Sequence, residues 1–290
     1  IACVILSGRV LSPLVQAGQL LTKFNHALSA FKKIDELMQI ESRDDLTKDF
    51  KATSLTSGDI KLKDLSYDIN EVAILKNITL DINDGEKIGF VGNIGSGKTS
   101  LLRNIIGFYL PTKGNVTLSG YDLKNIPSEE LRDYIGYCPQ KIDLFTGSVL
   151  ENISTGIDGI TEDDVIEAAK LSCAHEFITK MPGGYNYILN DNGSNLSGGQ
   201  RQAIALARCL VRKPKVLVLD EPTSSMDGNT EEKIINNLLS LPYKPTVIIS
   251  THRTNHLVRV DKIGVLIDGQ LVQYGPRDQI LRQSNEKVEN

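Results

Sequence analysis

Three groups of residues in this chain are spaced for phosphate chemistry: glycines ahead of a lysine and a hydroxyl, a carboxylate pair closing an apolar run, and a serine before two glycines. The first is Gly92-Asn93-Ile94-Gly95-Ser96-Gly97-Lys98-Thr99, which has the Gly-x-x-x-x-Gly-Lys-[Ser/Thr] spacing of a phosphate-cradling loop. Glycines let successive backbone N–H groups turn inward without a Cβ in the way. A helix starting at Lys98 adds the positive end of its dipole, so the loop forms an anion site. Lys98 would reach the β- and γ-phosphates as a point charge, and the Thr99 hydroxyl would take a Mg2+ position. Residues Gly92 to Ser100 are therefore candidate ATP contacts.

The flanks give the spacing its meaning. Lys87-Ile88-Gly89-Phe90-Val91 reads as a short buried strand, and Ser100 to Ile106 carries apolar residues at helical spacing. Strand, loop, helix is the order this motif requires.

The carboxylate pair Asp220-Glu221 follows Val216-Leu217-Val218-Leu219, a continuous apolar run that predicts a central parallel strand buried on both faces. Phosphoryl transfer is mostly positioning plus charge stabilisation, so its site needs a metal holder and a group to orient water. Asp220 is placed to hold Mg2+, and Glu221 to polarise the attacking water as general base. Ser197 with Gly198-Gly199 caps a helix predicted from about Gln200, which makes a second anion site. One ATP has a single γ-phosphate, already held by Lys98, so this second site is surplus within one chain.

In order along the chain, these stretches resemble the ATP-binding-cassette ATPases. Leu196-Ser197-Gly198-Gly199-Gln200, followed by Arg201-Gln202 and a helix over 203–211, resembles that family's signature; Asp220-Glu221 resembles its Walker B element. Ser224-Ser225-Met226-Asp227 corresponds to its D-loop, Gln140 to its Q-loop glutamine, His252 to its switch histidine, and Tyr67 to the aromatic that stacks on adenine. The resemblance covers residues 57 to 283. It implies catalytic roles for Glu221, His252, Gln140 and Lys98, and a Mg2+ held by Thr99, Gln140 and Asp220. It also implies a head-to-tail homodimer in which Ser197, Gly198, Gly199, Gln200 and Asp227 of one copy close over the ATP of the other, which resolves the surplus. His26, His175 and His256 are read as ordinary surface or core histidines.

These groups need a scaffold. The 290 residues, 40% hydrophobic and 23% charged, suit a globular domain with an appendage. The formal net charge of -4 and the absence of a basic stripe argue against nucleic acid as a partner. Four cysteines, Cys3, Cys138, Cys173 and Cys209, lie far apart without a Cys-x-x-Cys pair, the pattern of reduced thiols rather than of a zinc site. The predicted fold class is α/β: a P-loop NTPase core with a mixed sheet, an antiparallel β-subdomain and an α-helical signature subdomain, preceded by a long N-terminal helix. Alternation over 59–67 and 74–82 predicts two antiparallel strands before the loop, and Asp268-Gly269 predicts a hairpin turn between strands 263–267 and 271–274. Thr161 is a predicted N-cap for a helix to Leu171, with another over 174–180.

At the N-terminus, Leu11, Leu14, Val15, Leu21, Phe24, Leu28, Phe31, Ile34, Leu37 and Met38 recur at helical steps. The opening Ile1 to Leu6 is apolar, far shorter than the roughly 20 residues a bilayer crossing needs, and lacks a signal peptide's basic start. Residues 1–40 are read as the cytoplasmic end of a transmembrane helix from a longer chain, 41–57 as a linker, and 58–290 as the nucleotide-binding domain. The N-terminal stretch is similar to exporters that join membrane domain and ATPase in one chain, most narrowly to bacterial type I secretion ATPases. That resemblance implies an inner-membrane protein with this domain on the cytoplasmic face, working with its own transmembrane domain, a periplasmic adaptor and an outer-membrane channel to export toxins or adhesins. Exporters of lipid, drugs or bacteriocins share the architecture. A soluble cassette ATPase acting on nucleic acid or ribosomes would bring a second cassette or coiled coil, and an importer subunit would lack the apolar helix. Two positions depart from the exporter pattern: Asn190-Asp191 where Gly-Glu is usual, and Ser225-Met226 where Ala-Leu is usual.

Overall fold

The computed structural model describes residues 2–39, 55–157, 159–253, 257 and 259–286; most of the expected linker (41–54) and His256 lie outside the described residues. The chain divides into two compact units, Ile1–Lys48 and Asp49–Asn290. The first contains one helix, Ala2–Met38, which starts before the periodic run that opens at Leu11 and carries Pro13 inside it. Leu20, Leu21, Phe24, Leu28, Phe31 and Ile34 form an exposed apolar stripe along it. Among the described residues no helix is long and apolar enough to cross a membrane.

The second unit opens with the antiparallel strands β1 (Ile60–Ile69) and β2 (Val72–Ile82), followed by β3 (Lys87–Val91), β4 (Lys113–Leu118), β5 (Tyr121–Asp122) and β6 (Ile135–Cys138). A short pair, β7 (Gly147–Ser148) and β8 (Ile188–Leu189), brackets the helical segment. Next come β9 (Val216–Asp220), β10 (Thr246–Ser250), β11 (Lys262–Ile267) and β12 (Gln270–Pro276). One sheet is antiparallel, in the order β2-β1-β4-β5; the other has six strands, β12-β11-β3-β10-β9-β6, parallel except for the β11–β12 hairpin. The predicted mixed α/β architecture is the one observed. The hairpin turns at Asp268 and Gly269 with φ of 49° and 78°, the positive pair a type I′ turn needs.

Period-two alternation in the central strands divides the core between the two faces of the six-stranded sheet. Val216 and Val218 pack with Ile88, Phe90 and Leu101 on one face, while Leu217 and Leu219 pack with Ile204, Leu206 and Ile234 on the other. Every residue of β9 and β10 is buried, which explains why Val216–Leu219 reads as a continuous apolar run and why Val247, Ile248 and Ile249 form another. Asp220 and Ser250 thus emerge together at the carboxyl ends of neighbouring parallel strands, beside the loop that follows β3.

The helical segment departs from expectation in detail. Thr161 caps the helix Glu162–Leu171 as predicted, through a reciprocal pair with Asp164. The next helix covers only His175–Ile178, because the Lys180 and Met181 amides bond three residues back and tighten the turn. The signature helix is Gly198–Leu210, two residues earlier than Gln200, because the glycines join its first turn once Ser197 caps it. Helices Ser128–Tyr134 and Val149–Ser154 are too short to show a periodic run, and Gly228–Leu239, whose Ile234, Ile235, Leu238 and Leu239 do lie at helical steps, was not anticipated.

Candidate active site

Residues from five separate segments meet at the end of the parallel sheet. Gly92 tolerates no side chain, since a Cβ there would lie 2.3 Å from the Leu266 carbonyl oxygen. Gly97, at φ 99°, turns the chain into the helix Lys98–Ile105 with a backbone that L residues rarely adopt. Lys98 is buried, and its Nζ donates to the loop's own carbonyl oxygens of Gly92 (2.7 Å) and Asn93 (3.0 Å). Ser96 Oγ is also buried and has no partner among the described residues, a spare donor at the centre of the cradle. Ile94, by contrast, is almost wholly exposed at the tip of the loop.

Asp220, 1% exposed, accepts from Thr99 Oγ1 at 2.7 Å through Oδ2 and from Ser250 Oγ through Oδ1. A buried carboxylate flanked by hydroxyls is the hard-oxygen set that suits Mg2+, so Thr99 and Asp220 fit that ion. Next to it, Glu221 receives two partners: Gln140 Nε2 donates to Oε2 at 3.0 Å, and His252 Nδ1 lies 3.2 Å from Oε1. Glu221 has φ 50°, a left-handed backbone that costs a non-glycine residue about 1–3 kcal/mol and persists only where the surroundings enforce it. Gln140 is thus brought to Glu221 rather than to Asp220 and Thr99, with its amide oxygen remaining as an acceptor.

Two groups of the predicted residues line separate cavities, while Lys98, Thr99 and Asp220 line neither. One, of about 800 Å3, is lined by Gly92, Asn93, Ile94, Gln140, Glu221 and His252. The other, of about 380 Å3, is lined by Ser197, Gly198, Gly199, Gln200, Ser225 and Asp227, among others, and shares no lining residue with the first. In the second, Ser197 Oγ accepts from Gln200 N at 3.2 Å while Gln200 Oε1 accepts from Ser197 N at 2.9 Å. This capping box leaves the serine hydroxyl hydrogen free to donate to an anion. Asp227 caps the helix Gly228–Leu239 by accepting from Thr230 N, and that backbone bond holds its carboxyl below the usual range. Tyr67 stands apart from both cavities, half-buried and stacked on Tyr109 with ring centres 5.1 Å apart.

Residues 75–224 match the ABC transporter family. The chain belongs to that family. ABC relatives similar to it include the transport/processing ATP-binding protein ComA of Streptococcus pneumoniae, 38% identical over 94% of this chain and 38% of its own length. The leukotoxin translocation ATP-binding protein LktB of Mannheimia haemolytica is 36% identical over 98% of this chain and 40% of its own length. The chain thus spans about two fifths of the length of the curated relatives it matches. A solved bacterial Atm1-family ABC exporter with ATP bound superposes with a TM-score of 0.82 at 28% identity, over 90% of this chain and 46% of that one.

Four residues at this candidate site, Ser250, Tyr109, Arg103 and Gln202, were given no role from sequence. Ser250 holds Asp220, but it is the last residue of a buried apolar strand and has no motif of its own. Tyr109 backs Tyr67; Arg103 Nη1 donates to its hydroxyl at 2.9 Å and the guanidinium sits 5.5 Å from its ring centre. Burial and the nearby Tyr109 push the Tyr67 phenol up, leaving a neutral ring for stacking. Gln202, read from sequence only as part of the stretch after the signature, joins the signature helix to the residue that follows the carboxylate strand.

Proposed function

We propose that this chain is the ATP-hydrolysing domain of a bacterial type I exporter, and that it works as a head-to-tail homodimer driving protein export across the inner membrane. The observation that carries the reading is that Gly92, Gln140, Glu221 and His252 line one cavity and Ser197, Gly199 and Asp227 another with no residue in common, which we read as the two halves of a nucleotide site. Within the first, Lys98 exchanges its two carbonyl partners for phosphate oxygens, with the loop N–H groups and Ser96 Oγ as further donors. Thr99, Asp220 and Gln140 are the residues that would hold Mg2+, which neutralises phosphate charge when bound. Glu221 takes the proton of the attacking water, His252 and Gln140 keep its carboxylate in place, and His252 also reaches towards the γ-phosphate. Tyr67 stacks on adenine.

The second cavity serves the other copy: Ser197 donates its hydroxyl, and the helix start its N–H groups, to the γ-phosphate held by the partner's loop. Two ATP molecules then bridge two cassettes, and breaking the β–γ bond severs the γ-phosphate from the nucleotide held by the other copy, so its release as inorganic phosphate unlinks the pair and chemistry becomes domain motion. Residues 1–40 are proposed as the cytoplasmic end of a transmembrane helix, with 58–290 as the nucleotide-binding domain on the cytoplasmic face. Similarity to a leukotoxin translocation protein and a transport/processing protein supports a peptide or protein cargo, with a periplasmic adaptor and an outer-membrane channel as partners.

The test mixes two inactive variants, Lys98→Ala and Ser197→Arg. In a mixed dimer one site has both defects and the other has none, so a 1:1 mixture should recover roughly a quarter of the wild-type phosphate release if sites are independent. No recovery on mixing, with both proteins folded, would place a complete site in each chain and defeat the proposal.

A further inference from the structure

Gln202 is 1% exposed, and its amide is fully engaged. Nε2 donates to the Glu221 carbonyl oxygen at 2.9 Å and to Ser224 Oγ at 3.3 Å, while Oε1 accepts from Ser225 N at 3.0 Å. A single side chain therefore ties the helix that begins at Ser197 to the backbone of Glu221 and to the turn that leads to Asp227. The same Glu221 carbonyl accepts from Ser224 N at 3.2 Å, and Glu221 N donates to Ser250 O at 3.1 Å. Both lone pairs of that carbonyl and its own amide hydrogen are thus committed, which is what a strained left-handed residue needs in order to stay in place. Gly198 and Gly199 let the turn come this close: a Cβ on either would lie 3.2 Å from Ser225 Cβ or 3.1 Å from Ser225 O.

We propose that Gln202 is a positioning residue that fixes the Glu221 carboxylate relative to the Ser197 end of the signature helix. It locks the base acting on one ATP to the anion site acting on the other. This rests on the reading of Glu221 as base, and the two ideas fail separately.

The variants are Gln202→Leu, Gln202→Glu and Glu221→Gln in the intact transporter chain, measured for kcat, KM for ATP, and thermal midpoint. Gln202→Leu should lower kcat by about ten- to a hundredfold with KM within about twofold, since misplacing a catalytic group costs rate rather than ground-state binding. In Gln202→Glu the buried carboxyl can donate to the Glu221 carbonyl only while protonated. Its kcat relative to wild type should therefore climb as pH is lowered and fall as pH rises. A role in folding alone would shift the thermal midpoint without that pH signature. If Glu221→Gln still turns over, the base assignment is wrong whatever Gln202 does. If Glu221→Gln is inactive but Gln202→Leu keeps wild-type kcat, or the Gln202→Glu ratio is flat with pH, the positioning role is overturned.

Discussion

The two cavities are built in opposite ways. In and beside the phosphate-loop cavity the polar groups are paired across long stretches of chain: Gln140 with Glu221, His252 with Glu221 and, beneath them, Thr99 with Asp220. In the signature cavity the pairings of the candidate side chains are local helix caps, Ser197 with Gln200 and Asp227 with Thr230, each three residues apart. A cap survives as long as its helix does, so the signature surface is preformed and can be offered to a partner unchanged. On the proposed reading the phosphate loop must instead exchange partners, because Lys98 Nζ is bonded to two carbonyl oxygens of the loop itself.

That contrast can be broken at several points, starting with the largest effect. Glu221→Gln removes a proton acceptor while keeping the hydrogen-bonding shape, and phosphate release should fall at least about a hundredfold. Sedimentation of the intact transporter's cassettes with ATP should then show a trapped closed pair; undiminished hydrolysis would remove Glu221 from the chemistry. Lys98→Ala should weaken nucleotide binding by about ten- to a hundredfold, the worth of charge-assisted bonds, with the signature helix unaffected in circular dichroism. Retained tight binding, read with a fluorescent ATP analogue, would mean that the loop carbonyls are Lys98's real function. Tyr67→Ala should cost about 1–3 kcal/mol of ATP affinity by removing the stacking ring, and Tyr109→Leu, which leaves Tyr67 unbacked, should cost less. Equal nucleotide affinities for wild type and Tyr67→Ala in calorimetry would count against the stacking role.

The smallest effect concerns pH and the helical segment alone. Hydrogen bonds from Ser148 hold the Glu151 carboxyl below its ordinary value, and bonds from Thr161 do the same for Asp164. In the unfolded chain both titrate at their ordinary, higher values, so the unfolded state takes up protons first as pH falls. Their contribution is complete above the ordinary carboxylate pKa of about 4 and disappears as pH drops through the lower folded values. Asp164→Asn should therefore lower the urea midpoint slightly at pH 6, with the gap to wild type narrowing as pH falls below about 4; a gap that widens in acid would contradict the cap.

How legible each region was follows from the same contrast. The loop, the capped signature helix and the Asp268-Gly269 turn depend on residues within a few positions of one another, and they read directly from spacing. Strand β1 did not read cleanly to its end, because Asp64 at φ 50° interrupts the alternation where its pairing with β2 and β4 shifts register. The helices Ser128–Tyr134 and Val149–Ser154 are too short for a repeating stripe to declare itself.

Local residue types determined the phosphate cradle, the helix caps and the buried run ahead of Asp220, since backbone freedom, capping and burial act over a few residues. Only the tertiary structure decided that Ser250 would hold Asp220, that Gln202 would reach the Glu221 carbonyl, and that Tyr67 would lean on Tyr109. Those contacts depend on which strands become neighbours and on how far each is shifted along the next, and that is set by packing both faces of one sheet at once.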